Sequence, residues 1–170
     1  MDVLSAIKTR RSIRQFSSKP VEEEKLRNVL EAARLAPSAS NRQNWKFIAV
    51  RDDAARAKLA EAALGQLFLG KAPVILVSCA TEPTGVMRCG QSRHTVDLSI
   101  ATTFMILEAH EQGLGTCWLG HFDENAVKEA LGIPEDMRVV TMIPLGYPAE
   151  NPVQKPRKRF EEVVCYEKYY

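Results

Sequence analysis

The sequence predicts a single domain that mixes helices and strands. Its 170 residues, 45% of them apolar and 26% charged, are enough for one core of ordinary composition. Two long stretches, about 22–36 and 95–112, have the apolar pattern of packed helices. The short apolar runs Val74 to Ser78 and Val139 to Leu145 read as strands, the first as a central one.

Taken in order, Asp2 can cap a short helix whose apolar side is Val3, Leu4 and Ile7. A basic stretch follows, Arg10-Arg11-Ser12-Ile13-Arg14-Gln15-Phe16. Pro20 and Val21 lead into a helix from about Glu22 to Ala36. Its positions Leu26, Val29, Leu30 and Ala33 form one apolar stripe. Glu22, Glu23 and Glu24 suit its positive end, Arg34 suits its negative end, and Pro37 stops it. The segment 37–45 is a loop rich in small and hydrogen-bonding side chains, closed by Trp45. Lys46 to Val50 reads as a strand, Ala54 to Leu64 as a helix ended by Gly65, and 81–92 as a loop. In the helix from Thr95 to Gln112, Leu98, Ala101, Thr102, Met105, Leu107 and Ala109 leave few exposed positions. Thr116 to Leu119 is a short strand. Asp123 caps a helix through Leu131 that Gly132 and Pro134 end. After Pro148 comes an extended tail with Tyr166, Tyr169 and Tyr170 at its end. A tail this long must pack on something, and packing on a second copy would give an interlocked dimer.

A net charge of +2 is too small to imply nucleic acid or an anionic membrane. Basic residues nevertheless cluster at 8–19 and 155–159. Cys79, Cys89, Cys117 and Cys165 are scattered without metal-ligand spacing, so a reduced cytoplasmic protein is expected, with no structural metal and no disulfide framework. The N-terminus does not read as a signal peptide. The longest apolar run, Ala72 to Ala80, is too short to span a bilayer.

No phosphate-binding glycine loop and no serine-hydrolase elbow is present. His94, His110 and His121 lack metal spacing, and Cys117 has no basic partner nearby in sequence, which suits a buried thiol. What remains is anion binding by arginine. If the basic stretch runs extended, Arg10, Ser12 and Arg14 share one side, with Ile13 turned into the core. Guanidinium forks match phosphate oxygens in pairs. A solvated basic turn would show the same residues. Gln154-Lys155-Pro156-Arg157-Lys158-Arg159 supplies a second set of cations, also compatible with a solvated charge run. The two sets serve one anion only if the fold joins the chain ends.

The stretch 10–16 resembles the opening motif of the FMN-dependent nitroreductase family. Ala32-Ala33-Arg34-Leu35-Ala36-Pro37-Ser38-Ala39-Ser40-Asn41-Arg42-Gln43-Asn44-Trp45 resembles its second motif, Gly113-Leu114-Gly115-Thr116-Cys117-Trp118-Leu119-Gly120 its third, and Lys155-Pro156-Arg157 its fourth. The resemblance spans nearly the whole chain. It implies an α+β fold with a central, mainly antiparallel sheet wrapped by helices, and an intertwined homodimer with residues 148–170 crossing to the partner. It also implies FMN at the dimer interface. Carried over by position, Arg10, Arg11, Ser12, Lys155 and Arg157 hold the phosphate and ribityl chain, and Arg14 approaches the pyrimidine side. Pro37, Ser38, Ser40, Asn41 and Gln43 come from the other subunit. Trp118, Leu119 and Gly120 lie along the ring, where a backbone N–H can meet N5, and Gln66 is a further ring contact.

The activity implied is transfer of hydride from NADH or NADPH, through flavin N5, to a nitroaromatic, quinone or similar small electrophilic acceptor. The flavin carries the chemistry, so no catalytic side chain is expected. Asn44 stands where family members often have proline, and the 81–92 loop is short where larger members insert helices. Other readings are a specialised family branch (dehydrogenation or flavin fragmentation), a flavin-binding or redox-sensing protein with negligible turnover, and a nucleic-acid binder. The last lacks interleaved aromatic and basic residues.

Overall fold

The computed structural model describes residues 1–169, so Tyr170 of the expected terminal tyrosine cluster lies outside the described residues. Its sheet is built outward from Val74–Ala80 (β2), which is buried along its whole length. β2 pairs antiparallel with Trp45–Val50 (β1) on one side and with Arg138–Gly146 (β4) on the other. Gly115–Thr116 (β3) pairs antiparallel with β4, giving the order β1-β2-β4-β3. The expected antiparallel α+β architecture is therefore present.

Alternation along the strands divides the core in two, because successive side chains take opposite faces. Val74 and Leu76 of β2, with Ile143 and Leu145 of β4, face Glu23–Arg34 (α2) and Arg93–Glu111 (α4). Leu26, Val29 and Ala33 of α2 pack there with Ala101, Met105 and Ala109 of α4. Ile75, Val77 and Met142 face Asp53–Ala62 (α3) and Glu124–Leu131 (α5), meeting Leu59 and Val127. Each fully buried side chain of this size stabilises the fold by about 1.5–3 kcal/mol. The one hydroxyl in β2, on Ser78, is satisfied by Thr102 of α4 at 2.9 Å.

Helix ends follow the sequence signals. Asp2 accepts from the Ser5 N–H at 3.0 Å and starts Val3–Thr9 (α1). Asp52 and Asp123 cap α3 and α5, and Gly132 ends α5 with φ 62°. Glu22 caps α2 by position only, without a side-chain bond to the helix. No helix among the described residues is long and apolar enough to cross a membrane.

Three details differ from expectation. The strand expected over 116–119 loses its ladder after Thr116, although Leu119 rejoins β4 opposite Met142 in the same register. Hydrogen-bonded pairs recur every second residue, which sets Cys117 opposite Pro144, and proline has no N–H to give. Second, the apolar side of α1 is open: Val3, Leu4 and Ile7 are all exposed. Only Ala6 is buried, and α1 is held to the end of α4 by Thr9 Oγ1 and His110 Nε2 at 2.8 Å and by the N-terminal ammonium on Glu111. Third, the expected extended tail carries one short 3-10 turn, at Phe160–Glu162, and it leaves Val153 89% exposed instead of packed.

Candidate functional site

The arginine stretch runs extended along the edge of the sheet, as its alternation suggested. Ser12 forms a parallel bridge with Thr116, and the Ile13 N–H donates to the Thr116 carbonyl at 2.8 Å. Ile13 is buried, and it lies so close to β3 that a methyl added at Gly115 would sit 2.7 Å from its side chain. Gly115 is thus the contact that lets the stretch lie against the sheet. On its other side the stretch meets the start of the tail. Phe16 bridges Pro148, and the Ala149 N–H donates to the Gln15 carbonyl at 2.9 Å. The Glu150 carboxylate accepts from the Arg14 and Gln15 N–H groups, the latter at 3.0 Å.

This pairing of 147–150 with the stretch brings the later tail cations to the early ones. Arg10, Ser12, Arg14, Lys155 and Arg157 line one groove of about 340 Å³. Arg11 also lines it, but its guanidinium donates to the Lys8 and Arg10 carbonyls and to Gln154 Oε1 at 2.9 Å, so it braces the tail. Among the described residues, none of Arg10, Arg11, Arg14, Lys155 and Arg157 forms an ion pair. Burial, and then the neighbouring Arg157 and Arg11 charges, lower the Arg10 guanidinium from its ordinary value. A cluster of this kind favours an anion between its members.

A second hollow, about 600 Å³, shares Arg10, Ser12 and Arg157 with the first and adds Ile106, Leu107, Cys117 and Trp118. It joins a cationic end to a partly apolar wall, and Trp118 is 39% exposed on that wall. Burial pushes the Cys117 thiol up, which suits a packed thiol and opposes a thiolate nucleophile. Leu119 is buried, and its N–H is committed to the Met142 carbonyl at 3.0 Å. The Gly120 N–H has no partner among the described residues, and a Cβ there would meet only Trp118 Nε1, at 3.9 Å. Gln66 donates its side-chain amide to the His121 carbonyl at 2.9 Å, which ties it to this turn. Arg14 stands 5.8 Å from the Phe68 ring centroid, in the same neighbourhood.

The residues of the second loop do not join this group within the chain. Pro37, Ser38, Ser40, Asn41 and Gln43 line neither hollow. Their loop has an unusual backbone: Ser40, Asn41 and Gln43 all take positive φ, at 55°, 52° and 54°. Ser38 Oγ accepts from the Gln43 N–H at 3.0 Å, and Asp97 Oδ1 on α4 accepts from the Ala39 N–H at 3.0 Å. Sequence reasoning missed Glu150 and Asp97, and named Gln154 only as the first residue of the tail's basic run. Gln154 and Glu150 carried no signal beyond lying near the tail cations. Asp97 did, as a carboxylate one residue before Leu98 in a helix with few exposed positions.

The chain is similar to several known proteins. The family model described as "Nitroreductase family" matches residues 7–72 and 64–147. An "NADH dehydrogenase" of Thermus thermophilus is 33% identical, covering 98% of this chain and 96% of its own. A crystal structure of a nitroreductase family protein from Clostridium novyi NT superposes with a TM-score of 0.85 at 33% identity, covering 91% of this chain and 89% of that one. The NADPH:FMN oxidoreductase of Vibrio harveyi, solved in complex with NAD+, has a TM-score of 0.89 at 29% identity, covering 99% of this chain and 78% of that one.

Proposed function

Because the chain belongs to the nitroreductase family, we propose that it is an FMN-dependent oxidoreductase that passes electrons from NADH or NADPH to a nitroaromatic, quinone or similar electrophilic acceptor. The observation that carries this reading is the groove where cations from both chain ends meet without a carboxylate among them. An FMN phosphate fits that groove in charge and in donor type. The open backbone at Gly120, beside Trp118, fits the approach of a flat ring.

Arg10, Ser12, Lys155 and Arg157 hold the phosphate and ribityl chain, and Arg11 fixes the tail that presents the last two. Charge-assisted bonds of this kind contribute roughly 1.5–3 kcal/mol each, so several retain a cofactor without a covalent link. Arg14 faces the pyrimidine side, where a cation stabilises negative charge on the reduced ring. Trp118, Leu119 and Gly120 lie along the ring. Leu119 contributes packing, because its N–H is already used, and the Gly120 N–H is the donor free to meet a ring nitrogen. Gln66 supports that turn from behind. FMN held there would supply the redox chemistry between the nicotinamide and the acceptor.

Pro37, Ser38, Ser40, Asn41 and Gln43 reach the cofactor from a second subunit in this reading. The open apolar side of α1 and the exposed tail residues Val153, Phe160 and Val163 are the surfaces a homodimer would cover. The test is direct. The purified protein should be yellow and dimeric by light scattering, and NADH or NADPH should bleach it without oxygen. A colourless monomer that takes up no added FMN overturns the proposal.

A further inference from the structure

We infer that Asp97 is a positioning residue for the cofactor: it holds the 37–43 loop in the strained shape that presents Ser38, Ser40, Asn41 and Gln43. The inference rests on the proposed FMN reading, and it concerns a residue that touches no ligand in that reading.

Positive φ is costly for residues with a Cβ, and such conformations persist only where the surroundings over-determine them. Three residues of this loop share that strain. Inside the loop, the Ser38 hydroxyl accepts from the Gln43 N–H, and Gln43 Nε2 donates to the Asn41 carbonyl and side chain at 3.2 Å. These bonds close the loop on itself but do not fix it to the domain. The bond from the Ala39 N–H to Asp97 Oδ1 does, and it precedes the strained residues immediately.

Asp97 is only 6% exposed and forms no ion pair among the described residues. A buried carboxylate without a counter-cation is a poor device for stability. A charge-assisted bond to one backbone N–H is a good device for placement. Small residues allow the approach: Ala33 of α2 and Ala36, just past its end, pack in the same cluster as Ala101 of α4, one turn beyond Asp97. The start of α4 therefore reaches the chain where it leaves α2.

The test compares full-length wild type, Asp97→Ala and Asp97→Asn as apoproteins titrated with FMN. Asp97→Ala is expected to weaken FMN binding at least tenfold and to change the visible circular dichroism of bound flavin. Asp97→Asn keeps an oxygen acceptor at the same place and is expected to stay within about threefold of wild type. Equal affinities for Asp97→Ala and wild type overturn the inference. So does an equal loss in both variants accompanied by an equal fall in apoprotein melting temperature. Should Asp97→Ala fail to fold, wild type decides alone, since the Ala39 amide should exchange slowly with solvent. Exchange at the rate of an open loop overturns the inference. Failure of wild type itself to bind FMN would instead strike the functional reading.

Discussion

Two basic clusters on this protein are built on opposite principles. Around Glu124, each cation has a carboxylate: Arg138 Nε lies 2.9 Å from it and the Lys128 ammonium 3.8 Å, and the Val139 N–H adds a bond at 2.8 Å. Burial alone would raise the Glu124 carboxyl, but Arg138 and the Val139 N–H hold it below the usual range. At the arginine stretch the Glu150 carboxylate is spent on backbone N–H groups, and Arg10 and Arg157 line one groove with like charges. The first cluster is complete in itself and fastens α5 to β4. The second repels itself and is complete only with an anion. Basic composition alone does not separate structure from function; the placement of carboxylates does.

The largest effect that would break this contrast is on the open cluster. Arg10→Ala combined with Arg157→Ala should weaken FMN binding on the order of 100-fold or more, as measured by quenching of FMN fluorescence. The apoprotein should melt no lower, because the change removes like charges. Affinity within threefold of wild type would mean that the two chain ends do not share the ligand.

At the closed cluster the readouts should invert. Glu124→Gln leaves Lys128 without its carboxylate and should cost about 2 kcal/mol in urea unfolding, with FMN affinity unmoved. The lowered carboxyl also sets the sign with pH. Its contribution is present above the usual glutamate value of 4.5 and is lost as pH falls through the folded value. The gap between wild type and Glu124→Gln should therefore close in acid.

Gly115→Ala should fall between the two cases. The added methyl meets Ile13, so about 1–2 kcal/mol of stability should go, and FMN affinity should fall with it as Ser12 is pushed away. Loss of only one of the two would show that the stretch and the sheet are uncoupled. The smallest effect belongs to Tyr147→Phe. The Tyr147 hydroxyl is the main reason the exposed Glu22 carboxyl is held at about 2, ahead of its own backbone N–H and Lys19. An NMR titration should find Glu22 moved up toward 4.5, with FMN binding unchanged.

Much of the fold was legible in the sequence because local rules suffice for it. Leu26, Val29 and Ala33 repeat at helical spacing and are buried as that spacing requires. Asp2 and Asp123 cap helices as the sequence suggests, because their carboxylates reach N–H groups two or three residues on. Alternation in the arginine stretch correctly turned Ile13 inward. The strand at 116–119 was read too long, since the proline that interrupts it belongs to another strand.

The sequence by itself determined the residue types of the site, the order of its motifs and the helices and strands that carry them. Only the tertiary structure decided that Arg10 and Arg157 meet, that Leu119 gives its N–H to Met142 and that Asp97 anchors Ala39. The reason is separation along the chain. Side-chain periodicity reports which way a residue points within its own element, whereas which distant backbone groups it meets depends on how the elements pack.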